Sequence, residues 1–377
     1  MNPKYLMLAG VAGLCAAVTA APAAAQQRYG DPIANQWVCV FDAYQVQRGQ
    51  VPEQANRAAR DAGGQAFRTY RNTIKGFAIR ASAQGVQNMV SKNPHIAFCE
   101  QDRVITLAPP PGKGPGGGDG GDGGSGSQTL PWGIERVGGP GNGTGKTAWI
   151  IDSGIDLDHP DLNVDTARSR DFVGGRKGGD DENGHGTHVA GTIAAIDNGF
   201  GVVGVAAGAT VVAVRVLDRR GSGAYSGVIE GVDYVAGAAG NGDVANMSLG
   251  GPIYDLLDRA VQAAGQAGVK MVLAAGNDGE DANNHSPARA SGPNVYTIAA
   301  TTQNDTLTSW SNYGSPVDYA EPGYQIESTW KGGGYNTISG TSMAAPHAAG
   351  ILLLGNINAD GLSSVAPNGD RYPIGVR

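Results

Sequence analysis

Cysteine, charge and long apolar runs are all scarce in this chain, and each shortage removes a class of protein. Of 377 residues only 16% are charged while 41% are hydrophobic, a balance that excludes a globally disordered chain. The net charge is −7 and no Lys/Arg block occurs. That excludes nucleic acid as the main partner, because phosphate binding needs a concentrated basic face. No apolar run reaches the ~20 residues that cross a bilayer. The longest candidate, Tyr5 to Val18, follows Lys4 and precedes Ala23-Ala24-Ala25, so residues 1–25 read as an export signal removed before Gln26. Of the three cysteines, Cys15 lies inside that signal, with Leu14 where lipid attachment wants a small residue. Cys39 and Cys99 remain, which in an oxidising compartment suggests one disulfide rather than a metal site. What the chain does have is glycine, 61 residues of it, which implies many turns and at least one flexible tract.

The length implies one large unit and at least one smaller one. Residues 37–102 read as strand, helix, strand, strand, helix, strand, a small α+β pattern of ferredoxin-like type. Residues 109–127, PPPGKGPGGGDGGDGGSGS, contain nothing apolar to bury and read as a linker. From Gln128 onward, continuous apolar runs such as AWII, VVAVRVL and VKMVLAA alternate with amphipathic stretches such as GVIEGVDYVAGAA and LDRAVQAAGQAG. That alternation predicts an α/β fold, a largely parallel sheet with helices on both faces. In such sheets, sites gather at the carboxyl ends of strands.

Three segments sit where that rule points. Asp152 ends the run TAWIID, where a packed carboxylate can orient an imidazole, although an Asp after a strand is more often a turn former. In NGHGTHVAG, His185 lies at a helix start among glycines, and His188 enters the helix body. The pair invites a metal reading, but the spacing is not HExxH and no acidic cluster completes a zinc set, so His185 reads as a base and His188 as structural. In GTSMAAPHAAG, Ser342 lies at a helix entry with Thr341 as the expected N-cap, so its hydroxyl projects from the positive end of the helix. Taken alone, an ordinary capping serine is the stronger reading. GPGNGTGKT at 139–147 mimics a phosphate loop, but Pro140 holds the first glycine's place and a strand follows, which excludes that role.

In combination, the chain order Asp, His, Ser with the flanks DSGID, HGTHVAG and GTSMAAPH resembles the subtilisin-like serine proteases. The resemblance covers about residues 128–350, and it implies that Asp152, His185 and Ser342 are catalytic. It further implies that Asn277 in VLAAGNDG stabilises the oxyanion together with the Ser342 backbone N–H. SLGG, with Ser248, Leu249 and Gly250, and AAG, with Ala274, Ala275 and Gly276, look like the walls of the primary specificity pocket. GSGAYS, with Gly221, Ser222, Gly223 and Tyr225, looks like the edge that pairs with extended substrate. Large apolar or aromatic side chains are the expected occupants, and protein or peptide the expected substrate. Met343 resembles the family's oxidation-sensitive methionine.

Residues 37–102, through the opening apolar strand, KGFAIRAS and the closing strand that ends in EQDRV, resemble the family's inhibitory, folding-assisting propeptide, which implies a secreted, self-processing precursor with residues 26–108 as propeptide and 128–377 as the peptidase domain. In that architecture the first and last strands are neighbours, so Cys39 and Cys99 can face each other; two reduced core cysteines are the alternative. The propeptide tail is expected in the cleft, where a cut after Leu107 places Leu107 and Val104 in apolar subsites. One structural Ca²⁺ site carries over, with Gln128, Asp161, the Asn198 side chain and the carbonyls of Ile196, Phe200 and Val202 as oxygen ligands. A local turn around Asn198 is the competing reading. No organic cofactor, no membrane partner after signal removal and a monomeric state are expected. The sequence after about residue 355 departs from the family's usual closing helix and strands.

Overall fold

The computed structural model describes residues 28–107, 127–175 and 178–377. The proposed export signal and all but Ser127 of the expected linker lie outside them.

Residues 28–107 form their own layer. Strands Pro32–Phe41, Gln65–Tyr70, Gly76–Arg80 and Ile96–Thr106 make an antiparallel sheet, with helices Val51–Asp61 and Ala83–Lys92 packed against it. The first helix forms because Val51, Ala55, Ala58 and Ala59 recur on one face, and those residues are its buried ones. Ser82 starts the second by accepting a hydrogen bond from the Gly85 N–H. Pro32–Phe41 and Ile96–Thr106 are antiparallel neighbours with Cys39 opposite Cys99, and the two form a disulfide.

The larger unit is built on a sheet whose central strands run in the order Pro373–Val376, Val317–Pro322, Val295–Thr301, Lys270–Ala274, Val244–Met247, Thr147–Asp152, Thr210–Arg215. These pair in parallel throughout. Successive side chains of a strand point to opposite faces, so each strand feeds two cores. On one face Trp149, Ile151, Val212 and Val214 pack with helices Tyr225–Ala238 and Asp255–Gln266. On the other, Ile150, Val211 and Ala213 pack with helices His185–Ala194 and Thr341–Leu354. The expected α/β class, with helices on both faces, is the observed one.

The closing segment, where the sequence departs from the family pattern, forms a hairpin. Asn358–Leu362 pairs antiparallel with Pro373–Val376, and the second strand extends the main sheet beside Val317–Pro322. Ile374 is fully buried there, so the hairpin supplies the last layer.

Candidate active site

Asp152 is the last residue of Thr147–Asp152 and is completely buried. His185 is the first residue of its helix. The ring Nδ1 of His185 lies 2.9 Å and 3.0 Å from the two carboxylate oxygens of Asp152. This approach depends on a glycine: a Cβ on Gly186 would stand 2.1 Å from the Gly154 carbonyl oxygen. A second carboxylate, which the sequence did not single out, fixes the helix start. Asp181 accepts the Ser153 hydroxyl at 3.0 Å, the Thr187 N–H at 3.0 Å and the Thr187 hydroxyl at 2.7 Å, while Ser153 Oγ accepts the Gly186 N–H at 3.0 Å. Burial lowers the His185 pKa, but the Asp152 charge and hydrogen bond, with help from Asp181, outweigh it and hold the group above its ordinary 6.5. His188 is different. Its Nε2 faces the Ile326 carbonyl at 3.0 Å, and desolvation drives its pKa down to about 3, so it stays neutral in the core.

Ser342 enters the helix Thr341–Leu354 one residue after its start. Here the structure corrects an expectation, because Gly340 occupies the cap position and Thr341 is already helical. Thr341 instead gives its N–H and its hydroxyl, each at 2.9 Å, to Asn277 Oδ1. The amide of Asn277 is thereby oriented through its oxygen, which leaves Nδ2 with no hydrogen-bond acceptor among the described residues. That is the state an oxyanion donor requires. Pro346 lies inside the same helix and has no N–H for the carbonyl four residues earlier, which is that of Ser342. The Ser248 hydroxyl takes that place at 2.8 Å, and the Ser342 hydroxyl donates to the Ser248 carbonyl at 3.1 Å. Ser248 thus braces the helix that carries Ser342 and is absent from the cavity lining.

Leu249, Gly250, Ala274, Ala275 and Gly276 do line a cavity of about 180 Å³ that reaches Ser342. The edge strand Ser222–Ala224 is already paired. Ile96–Thr106 runs antiparallel to it, with Ser222 opposite Thr106 and Gly223 opposite Ile105, and the Leu107 N–H donates to the Gly221 carbonyl at 2.8 Å. Thr106 also bridges Gly250, so the segment lies between both walls of the cleft. Its register differs from the one expected. The Leu107 side chain lies against Gly221, and Ile105, rather than Val104, is buried beside Leu249 and Tyr225, which stacks on Tyr254 at 4.3 Å. Strand alternation decides this: Thr106 lines the pocket, so Ile105 and Leu107 face away from it.

The residues expected to hold a cation also meet. Asp161 Oδ2 accepts the Val202 N–H at 3.1 Å, and the NH₂ of Asn198 donates to Asp161 Oδ1 at 2.9 Å. The NH₂ of Gln128 donates to the carbonyls of Ile196 at 2.8 Å and Val202 at 3.0 Å. Phe200 contributes only its N–H, to Asn198 Oδ1 at 3.1 Å. Desolvation raises the Asp161 pKa, so its charge there lacks a strong counterion. Gln128 Oε1 in turn accepts the Gly199 N–H at 3.2 Å, so both amides would have to turn over, giving up these bonds, to offer oxygens beside Asp161 to a hard divalent cation.

Residues 143–362 match the family model described as the subtilase family, Peptidase S8. This chain belongs to the subtilase family. It is 39% identical over 341 residues to alkaline serine exoprotease A of Vibrio alginolyticus, a match covering 85% of this chain and 60% of that protein. M-protease of Shouchella clausii is 38% identical over 290 residues, covering 75% of this chain and 69% of its own. The crystal structure of a cold-adapted subtilisin-like serine proteinase superposes with a TM-score of 0.53 at 46% identity, covering 59% of this chain and 83% of that one.

Proposed function

We propose that this subtilase is a secreted serine endopeptidase made as a self-inhibited precursor, with residues 26–108 as its propeptide and 128–377 as the peptidase. The observation that carries the reading is the placement of Ile105–Leu107 between Gly221–Ala224 and Gly250, with Thr106 lining the cavity that reaches Ser342. An extended strand in that position is what a peptide substrate offers.

In the reaction, His185 takes the Ser342 hydroxyl proton as Oγ attacks the peptide carbonyl, and Asp152 orients and stabilises the imidazolium. The Asn277 Nδ2 and the Ser342 N–H receive the charge on the former carbonyl oxygen. The protonated His185 then passes its proton to the leaving amine, and water releases the acyl group by the same steps. Leu249, Gly250, Ala274, Ala275 and Ala288 give the cavity an apolar wall, beside the polar Asp278 and His285, and that wall favours large apolar side chains at the cleaved residue. Ca²⁺ held by Asp161, Gln128, Asn198 and neighbouring carbonyls would fasten the segment at Gln128 to the loop at 196–202. The enzyme acts as a monomer on protein substrates.

The register of Leu107 argues against a first cut after that residue. With Leu107 facing away from the pocket, the first cut falls beyond Leu107. In the sequence Ala108 is followed by Pro109, whose nitrogen carries no hydrogen, which disfavours cleavage directly after Ala108 and favours a bond further along the linker. A processed chain whose first residue is Ala108 would contradict this register.

Casein hydrolysis by the secreted protein tests the main reading. Activity should be present, absent in Ser342→Ala, and abolished by a serine-directed covalent inhibitor. A purified, processed chain without proteolysis would instead mark a binding or scaffolding protein on the same fold.

A further inference from the structure

The tail leaves the substrate pocket poorly filled. Thr106 is the tail side chain that faces it, and a threonine is too small to fill a cavity of about 180 Å³. Yet the cavity has one wall that does not come from the peptidase. Tyr29 lines it, together with Leu249, Gly250, Ala274–Gly276 and Ser342. This tyrosine comes from the opposite end of the N-terminal unit, about 75 residues before the tail in sequence but beside it in the sheet.

The segment around Tyr29 is held firmly. The Gly30 N–H donates to the Val104 carbonyl and the Val104 N–H to the Asp31 carbonyl, both at 2.9 Å, while the Arg103 guanidinium donates to the Gly30 carbonyl at 3.1 Å. Gly30 has φ +77°, and a Cβ there would lie 2.9 Å from Pro252 Cγ, so the turn that delivers Tyr29 requires glycine against the cleft wall. Tyr29 is 41% exposed, so its ring edges the pocket; the partial burial, followed by the charges of Asp278 and Glu280, pushes the phenol up to about 12.

We propose that Tyr29 is a second inhibitory contact of the precursor, closing the side-chain pocket from the N-terminal end while Ile105–Leu107 fills the backbone-binding edge. The idea rests on the propeptide reading above. Inhibition is then divided between two strands: the tail blocks the groove, and Tyr29 blocks what the tail's small side chain leaves open.

Two sulfonyl fluorides of different size test it on the full-length chain. In both, the Ser342 oxygen bonds to sulfur, the S–F bond breaks, fluoride leaves and the hydroxyl proton passes to His185. Phenylmethanesulfonyl fluoride places its ring in the pocket, whereas methanesulfonyl fluoride has no group to place there. Intact mass, with the adduct mapped to Ser342, gives the rates. Tyr29→Ala should speed reaction with the phenyl reagent roughly tenfold, a typical worth for a lost aromatic contact, and barely alter the methyl reagent. Tyr29→Phe should keep the wild-type ratio. Equal acceleration of both reagents, or none, overturns the proposal. A wild-type precursor that reacts with both as fast as the processed enzyme overturns the propeptide reading itself, and this proposal with it.

Discussion

Ser342 and Ser248 are clasped to each other: the Ser342 hydroxyl donates to the Ser248 carbonyl at 3.1 Å, and the Ser248 hydroxyl donates to the Ser342 carbonyl at 2.8 Å. Both residues are buried, and the clasp exists because Pro346 cannot serve the Ser342 carbonyl. Ser248→Ala should therefore strand a buried acceptor and cost about 1–3 kcal/mol of stability. A lower melting temperature with reduced turnover is the expected result. Unchanged stability would show that the helix entry is held by other means.

The pH dependence of catalysis follows from the neighbours of His185. The base must be neutral, and its pKa is raised above 6.5 by Asp152 and Asp181 against the opposing effect of burial. Activity should therefore be absent in acid and appear as pH rises, with a midpoint above 6.5. Asp181→Asn removes one raising charge and should move the midpoint down. A kcat/KM profile of the processed enzyme measures both, and a flat profile from pH 5 to 8 contradicts the assignment.

Release of the N-terminal unit should also depend on pH. Desolvation, with the nearby Asp255 charge adding to it, raises the Glu100 pKa from 4.5 to about 7 in the assembled chain. Once separated from the peptidase, Glu100 regains water and an ordinary value. The assembled state then binds the extra proton, so this contribution to association is present at low pH and is lost as pH climbs from 4.5 through 7. Desolvation likewise raises Asp102 and Glu230 at the same contact. Dissociation after cleavage should be faster at pH 8 than at pH 5, and Glu100→Gln should flatten the difference. Dissociation slower at pH 8 would reverse the sign and sink the argument.

Much of this was legible in the sequence where the signal is local. Continuous apolar runs at 148–151 and 271–274 identified buried parallel strands, and the residues ending or following them, Asp152 and Asn277, fell at the carboxyl edge as that topology requires. Facing cysteines followed from neighbouring strands. Other features depend on long-range register or on one backbone group, and these were not legible. A one-residue slip exchanges which of Leu107 and Thr106 faces the pocket, and only the pairing with Ser222–Ala224 determines it. Thr341 looked like a cap because threonine favours that position, but Asn277 claims its hydroxyl. Tyr29 carries no motif at all. Asp181 stood in an acidic, glycine-rich stretch just before His185, which was a signal that could have been read.

Calcium removal should loosen the segment at Gln128. Chelation is expected to shorten the thermal half-life of the processed enzyme, and Asp161→Asn should shorten it without further sensitivity to chelator. An unchanged half-life, together with no bound calcium by elemental analysis, would remove the site.

The central claim is that an imidazole held by Asp152 activates one hydroxyl. Its most direct test is the rate at which methanesulfonyl fluoride modifies the full-length chain and its His185→Ala variant. The account predicts a single adduct, on Ser342, and a rate at least about a hundredfold lower without the imidazole, in the usual range for general-base help. Equal rates in the two proteins, or an adduct on a different serine, would contradict it.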